Sequence, residues 1–188
     1  MKETGASEFL GAFLRQIRAR SEEHRRAILL LKREQITSQM VSVLRQELDS
    51  LIRVIFLLKV RDRDYRRNLI RPCVEGRKWL QKGSKRRITD RQMVDIAKRL
   101  HGWSESVYRF GCAFIHLSKF HDHKVRDRLA ELPKEERDAI LQHVRAYHGG
   151  IPETFHELEA YSPLIFQKIS DNLVCYLKMI ERDEDLDE

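Results

Sequence analysis

The sequence predicts an all-α protein, a bundle of about five to six helices that forms a single domain over residues 1–188. Apolar residues recur at the three- and four-residue spacing of helices, and no convincing stretch alternates apolar and polar residues as a strand would. Glycine and proline are scarce, at 8 and 4 residues, while apolar residues make up 41% and charged residues 35%. This composition argues against a β-sandwich, and its apolar content argues against a disordered chain.

The first three predicted helices cover residues 7–33, 39–60 and 90–101. Stripes of apolar residues at helical spacing define all three. A polar break at residues 35–38 separates the first two helices, and Thr37 or Ser38 is expected to cap the second. Thr89 and Asp90 provide the cap of the third helix.

The last three predicted helices cover residues 105–118, 133–148 and 163–180. The first of these is apolar almost all round, so we expect it to be the central, buried helix of the bundle. Pro133 is at the start of helix 133–148, and Gly149 and Gly150 end that helix. Pro163 is at the start of helix 163–180.

The basic charge is concentrated in one connector, residues 61–91. This segment has twelve Lys or Arg and four Asp or Glu, a net charge of +8 against +7 for the whole chain. Such a strip is either a solvated face or a phosphate-binding surface, because clustered cations displace counterions from a polyanion. Trp79 within it is either a base-stacking residue or an anchor to the core. The residues predicted to bind nucleic acid are Arg66, Arg67, Arg71, Arg77, Lys78, Lys82, Lys85, Arg86 and Arg87.

Arg109 and His116 are the two strongly polar groups in the apolar stretch of residues 107–117 within helix 105–118. Seven residues are nearly two helical turns, so both side chains are predicted on one side of the helix. A buried arginine needs an acceptor, and Glu47 of the second helix is the expected partner. The pair is either a set of core polar groups that fixes helix packing or a phosphate site, with arginine binding the phosphate and histidine moving a proton.

The segment from Arg109 to His116 resembles the Arg-x(4–6)-His motif of the HEPN superfamily, within similar Tyr-Arg and Phe-Ile-His surroundings. The resemblance implies a dimeric helical bundle that binds RNA or a nucleotide. In active members it implies a metal-independent endoribonuclease of toxin–antitoxin or antiviral systems. Arg109 would then stabilise the pentacoordinate phosphate and His116 would act as acid and base, so both are candidate catalytic residues. The residue after the motif arginine is usually polar in active members and is Phe110 here.

Other interpretations stay open at the level of sequence. Cys112, His116, His121 and His123 form an alternative zinc site, since zinc prefers Cys and His ligands, although no metal or other cofactor is the preferred expectation. A second alternative is a non-catalytic interaction or regulatory protein that uses a buried face or the acidic tail 181–188 to bind a protein partner, such as an antitoxin. The three widely spaced cysteines and the lack of a membrane-spanning segment indicate a cytoplasmic protein.

Overall fold

The computed structural model describes residues 2–186, with side chains from residue 8 onward. These residues form eight α-helices: α1 (Lys2–Arg33), α2 (Thr37–Lys59), α3 (Arg63–Val74), α4 (Asp90–Leu100), α5 (Ser104–Ile115), α6 (Lys134–His148), α7 (Phe155–Glu159) and α8 (Ser162–Glu181). The predicted all-α class is confirmed. The helices outnumber the expected five to six because α3 lies inside the basic connector and the five-residue α7 precedes α8. Within the described range, no helix is both long enough and apolar enough to cross a membrane.

The central helix of the bundle is α2. It packs against α1, α4, α5 and α8. Its apolar side chains that are inaccessible to solvent are Leu48, Leu51, Ile52, Val54, Ile55, Leu57 and Leu58. Each fully buried side chain of this kind stabilises the fold by about 1.5–3 kcal/mol relative to exposure. The prediction that helix 105–118 is central and buried is wrong, because α5 covers α2 on one side and exposes Arg109 and Ile115 on the other.

A second, smaller core lies beside α5, α6 and α7. Phe114 and Phe155 stack at 5.8 Å between ring centroids, and Phe110 meets Phe155 at 5.7 Å. The other buried members of this cluster are Val41, Leu129, Ile140, Val144 and Leu158. The apolar residues of α5 therefore serve two cores on different sides of the helix, which explains why they surround it in the sequence.

The predicted helix ends are partly confirmed. Thr89 caps α4 in a reciprocal capping box with Gln92, and Gly149 ends α6 at a positive φ of 68°, a conformation that costs glycine little. Thr37 does not cap α2, because it is the first residue of that helix and its hydroxyl donates to Glu159 at 2.6 Å.

The basic connector consists of α3 and an extended loop over residues 75–89. Trp79 anchors this loop: it is buried and lies 5.7 Å from the Phe56 ring. The backbone amide of Ile88 donates to the Trp79 carbonyl at 3.0 Å, which holds the two sides of the loop together. The anchoring interpretation of Trp79 is thus confirmed, and its ring is not available for base stacking.

The acidic tail folds back onto α3. Arg66, only 3% exposed in its side chain, contacts Asp183 at 3.3 Å and also Asp185. The amide of Leu186 donates to the Leu58 carbonyl at 3.2 Å. Residues 181–186 are therefore part of the folded domain, and binding of a protein partner by this tail stays a prediction. The last two residues of the tail lie outside the described range.

Candidate nucleic-acid interface

A close helix crossing positions the motif helix α5 on α2. Gly111 lies against Arg45, so close that a Cβ atom added there would be 2.5 Å from the Arg45 Cβ. Arg45 is itself buried; its guanidinium lies 4.2 Å above the Tyr108 ring and donates to Asp90 at 3.3 Å. The buried arginine near the motif is therefore Arg45, which the sequence prediction missed. The sequence feature that could have identified Arg45 as buried is its position within the apolar stripe of α2.

Arg109 lies on the exposed side of α5, with its side chain 53% accessible. It pairs with Glu105 at 3.0 Å, one turn earlier. Lys98 and Arg91 share the same carboxylate, each at 2.8 Å. The pKa of Glu105 falls to about 2, chiefly because Lys98 donates a hydrogen bond to it and Arg91 donates a second. Because Arg91 ends the basic connector, this carboxylate joins the motif arginine to the connector.

His116 follows the last residue of α5, which ends three residues earlier than predicted. The α5 helix stops because residue 116 adopts an extended conformation, with φ −102° and ψ 147°. The Ser118 hydroxyl then donates to the carbonyl of Ala113 at 2.5 Å. The His116 imidazole is exposed and has no hydrogen-bond partner among residues 8–186. Its neighbours Ile115 and Leu117 are also exposed, the latter at 96%.

Glu47 does not contact Arg109, contrary to the prediction. Its carboxylate is completely buried and accepts a hydrogen bond from the Ser21 hydroxyl at 2.5 Å on one oxygen. The other oxygen lies 2.7 Å from His24 Nδ1. Glu47 thus satisfies its charge with partners on α1, and it joins α1 to α2 instead of supporting the motif.

The predicted nucleic-acid-binding residues divide into paired and unpaired cations. Arg66 is buried beneath the tail, so it is not available for RNA. Four more are exposed but contact carboxylates of their own segment: Arg67 pairs with Asp64, Arg71 and Arg77 with Glu75, and Lys82 with Asp62. The remaining four are exposed and have no carboxylate partner within the described structure: Lys78, Lys85, Arg86 and Arg87. All four belong to the loop that Trp79 anchors.

A cleft of about 530 Å³ lies between α3 and this loop. Its walls include Tyr65, Asn68, Pro72 and Lys78. The Tyr65 hydroxyl donates to the carbonyl of Leu80 at 2.7 Å, which fixes the ring at the wall of the cleft. The volume is in the range of small-molecule sites, and the cleft combines a partly exposed aromatic ring with an unpaired cation.

The alternative zinc site is not assembled. Among the described residues no three His, Cys, Asp or Glu side chains are grouped as metal ligands. His121 Nδ1 lies 3.2 Å from the Ser118 carbonyl, whereas His123 packs against Phe155 with 5.4 Å between ring centroids. His121 and His123 both lie near the Phe114 ring, whereas Cys112 lies beside Arg45 at the α2–α5 crossing.

Comparisons of the chain with protein-family models, curated proteins and solved structures find no match. The candidate interface therefore stands on the geometry of this chain.

Proposed function

We propose that this protein binds RNA through the loop of residues 75–89 and presents the bound strand to Arg109 and His116. The observation that carries the proposal is the group of four exposed, unpaired cations on an anchored loop: Lys78, Lys85, Arg86 and Arg87. Unpaired cations can replace the counterions of a polyanion without first breaking an ion pair. The buried Trp79 limits the entropy that the loop loses on binding.

The cleft beside the loop supports binding of a single strand. Tyr65 offers a ring on which a base can stack, a contact that tolerates any sequence. Asn68 on the same wall adds an amide that can donate and accept hydrogen bonds. Asp62 and Asp64 also line the cleft, so the phosphates are expected along the loop and the base inside the cleft.

The motif residues support RNA as the polyanion. The Arg109 guanidinium and the His116 imidazole are both exposed, as contact with a phosphate and a 2′-hydroxyl requires. In this proposal they act as in HEPN-like endoribonucleases: His116 moves the proton and Arg109 stabilises the phosphate. The exposed apolar side chains of Ile115 and Leu117 provide a surface for the second protomer of a homodimer.

A second candidate is an RNA-binding member without cleavage, and one observation favours it. Phe110, at the position that is usually polar in active members, is packed among Phe114, Phe120 and Phe155. The fold and the binding loop do not depend on this difference.

Binding is tested by titrating labelled single-stranded RNA at several salt concentrations. The loop variant replaces its four unpaired cations with Gln, and a control variant does the same at Arg26, Lys124, Lys134 and Arg145, which are exposed and equal in number and type. Each phosphate contact contributes about 0.7 to the logarithmic salt slope for a single strand, so the loop variant should lose ~3 in slope. The control should lose far less. Equal losses would refute a localised site.

Cleavage is tested with the same RNA in excess EDTA. Products with 2′,3′-cyclic phosphate ends that disappear in folded Arg109→Ala and His116→Ala variants would establish a metal-independent ribonuclease. Intact RNA at saturating protein would refute cleavage and leave the second candidate.

A further inference from the structure

The acidic tail is bound by two arginines of α3. Arg63 pairs with Asp183 at 2.8 Å and with Asp185 at 3.0 Å. Arg66 contacts the same two carboxylates and also donates to the backbone carbonyl of Glu184 at 3.0 Å. Several acceptor groups of the tail therefore meet two guanidinium groups in one place.

The guanidinium of Arg66 is oriented by a group that does not belong to the tail. Its Nε and Nη2 atoms both donate to the Val60 carbonyl, at 3.2 and 2.9 Å. Nη1, by contrast, donates to Asp183 and to the Glu184 carbonyl. A guanidinium fixed on one side, with its remaining N–H groups directed at an anion, is preorganised for a carboxylate or for the oxygens of a phosphate.

The contacts of the tail allow another anion to replace it. The side chains of Asp183 and Asp185 are 54% and 33% exposed, and that of Arg63 is 36% exposed. Ion pairs this accessible to water are weak and are screened by salt. Arg66, however, is buried, and a buried arginine without an anion is destabilising. The tail is therefore expected to leave when a second anion takes its place.

The two arginines are adjacent in the chain to a wall of the cleft beside the basic loop. Arg63 directly follows Asp62, which lines the cleft and contacts Lys82 of the loop. The tail, residues 181–188, has six acidic residues and one arginine. In this position its negative charge repels phosphates, in addition to occupying the two arginines.

We infer that Arg63 and Arg66 form a phosphate-binding site, and that the acidic tail is an internal ligand of this site that phosphate groups displace. Phosphate binding and tail release are then linked, so each favours the other. The phosphates can be those of RNA, in which case the inference rests on the proposed function, or those of a free polyphosphate, in which case it does not.

The first test measures hydrogen exchange at the Leu186 amide, which donates to the Leu58 carbonyl when the tail is in place. The probe is inorganic tripolyphosphate, with sodium chloride used to keep the ionic strength constant. Exchange should accelerate at least about threefold and reach a plateau, because its rate follows the population with an open tail. The Phe155 amide, which is bonded to Asp127, should not change. No acceleration, or equal acceleration of both amides, overturns the inference.

The variant whose four unpaired loop cations are replaced by Gln separates this site from the basic loop. Tripolyphosphate should accelerate exchange at the Leu186 amide in this variant as it does in the unmodified protein. Loss of the acceleration would mean that the phosphate acts through the loop, and it would overturn the assignment to Arg63 and Arg66.

A pair of variants tests competition by the tail, both made in the protein without the four loop cations. One combines Asp183→Asn with Asp185→Asn, and the control combines Glu135→Gln with Asp138→Asn, two exposed carboxylates of α6. The affinity for tripolyphosphate, measured by calorimetric titration, should rise about 3- to 10-fold in the tail variant and less than about twofold in the control. Equal rises would mean that net charge alone is responsible and would overturn the inference. If the tail variant does not fold, the exchange measurement alone decides.

Labelled single-stranded RNA distinguishes the two sources of phosphate. RNA that acts at this site should accelerate exchange at the Leu186 amide of the unmodified protein, as tripolyphosphate does. RNA that binds without this acceleration would assign the site to free polyphosphates. Absence of RNA binding would refute the proposed function, whereas the tripolyphosphate measurements decide the present inference by themselves.

Discussion

Replacing glycine by alanine within a helix usually stabilises a protein. At Gly111, where α5 crosses α2, we expect the same substitution to destabilise it. In Gly111→Ala the new Cβ would lie 2.5 Å from the Cβ of Arg45 and 3.0 Å from its Cγ. Carbon atoms pack at about 3.5–4.0 Å, and the Cβ of Arg45 is fixed to the α2 backbone. The two helices must therefore separate by ~1 Å.

The expected magnitude follows from two opposing effects. Overpacking a closely packed contact of this kind costs about 2–3 kcal/mol, while replacing glycine by alanine within a helix recovers about 1 kcal/mol. We therefore expect Gly111→Ala to lower the free energy of unfolding by about 1–2 kcal/mol. For a domain of this size, the melting temperature should fall by ~2–8 °C.

Gly11→Ala is the matched control, because Gly11 is also inside a helix and its added Cβ would meet only the end of the flexible Arg15 side chain at 3.3 Å. This variant should be more stable than the unmodified protein by about 0.5–1 kcal/mol. Urea unfolding followed by circular dichroism measures both. If the two substitutions stabilise the protein equally, α5 does not cross α2 at Gly111 and the reasoning is refuted.

Three further predictions concern charge. Burial lowers the pKa of His143 to about 4, so between pH 6.5 and about 4 this imidazole is protonated in the unfolded state but not in the folded state. The free energy of unfolding should therefore fall as the pH drops through this range, and it should fall less steeply in His143→Phe. Glu105→Gln removes the carboxylate that three cations share, so RNA affinity at low salt should rise about 3- to 10-fold. Arg66→Met removes the buried cation that holds the acidic tail, so hydrogen exchange at the amide of Leu186 should accelerate at least about tenfold.

Matched variants test whether these changes depend on the named residues or only on the loss of a charge. Glu153→Gln, at an exposed position elsewhere, should leave RNA affinity nearly unchanged, and an equal gain there would mean that net charge alone is responsible. Arg67→Met, on the exposed side of α3, should leave tail exchange as it is. If the free energy of unfolding depends on pH in the same way in the unmodified protein and in His143→Phe, burial does not lower the pKa of His143 as described.

The helical class and several helix ends could be predicted because they depend on local sequence. The spacing of apolar residues and the Thr89 cap act within a few residues of each other, so no tertiary information is needed. The degree of burial of α5 could not be predicted. A helix that is apolar on most sides can be enclosed by other helices, or it can contact two separate cores and expose its remaining side to solvent, as α5 does. Helix α3 was missed because only Leu69 and Ile70 are its buried apolar residues, too few for a periodic signal.

The candidate site also has features that can be read from local sequence and features that depend on tertiary structure. The basic segment and the residue types of the motif could be read directly from the sequence, whereas the exposure of Arg109 and His116 could not, because their helix was expected to be buried. Nor could the sequence assign partners: Glu47 pairs with His24 and Arg66 with the tail because distant segments meet in the fold. Such pairings arise from tertiary structure, and they decide which cations remain unpaired.

The contact between Arg66 and the tail also has a consequence for the order in which the chain assembles during synthesis. Arg66 is buried between α3, to which it belongs, and the end of α2, but the carboxylates that neutralise it belong to Asp183 and Asp185. A buried arginine without an anion is strongly destabilising. The first half of a nascent chain therefore cannot neutralise this arginine until more than a hundred further residues, up to Asp183 and Asp185, have left the ribosome.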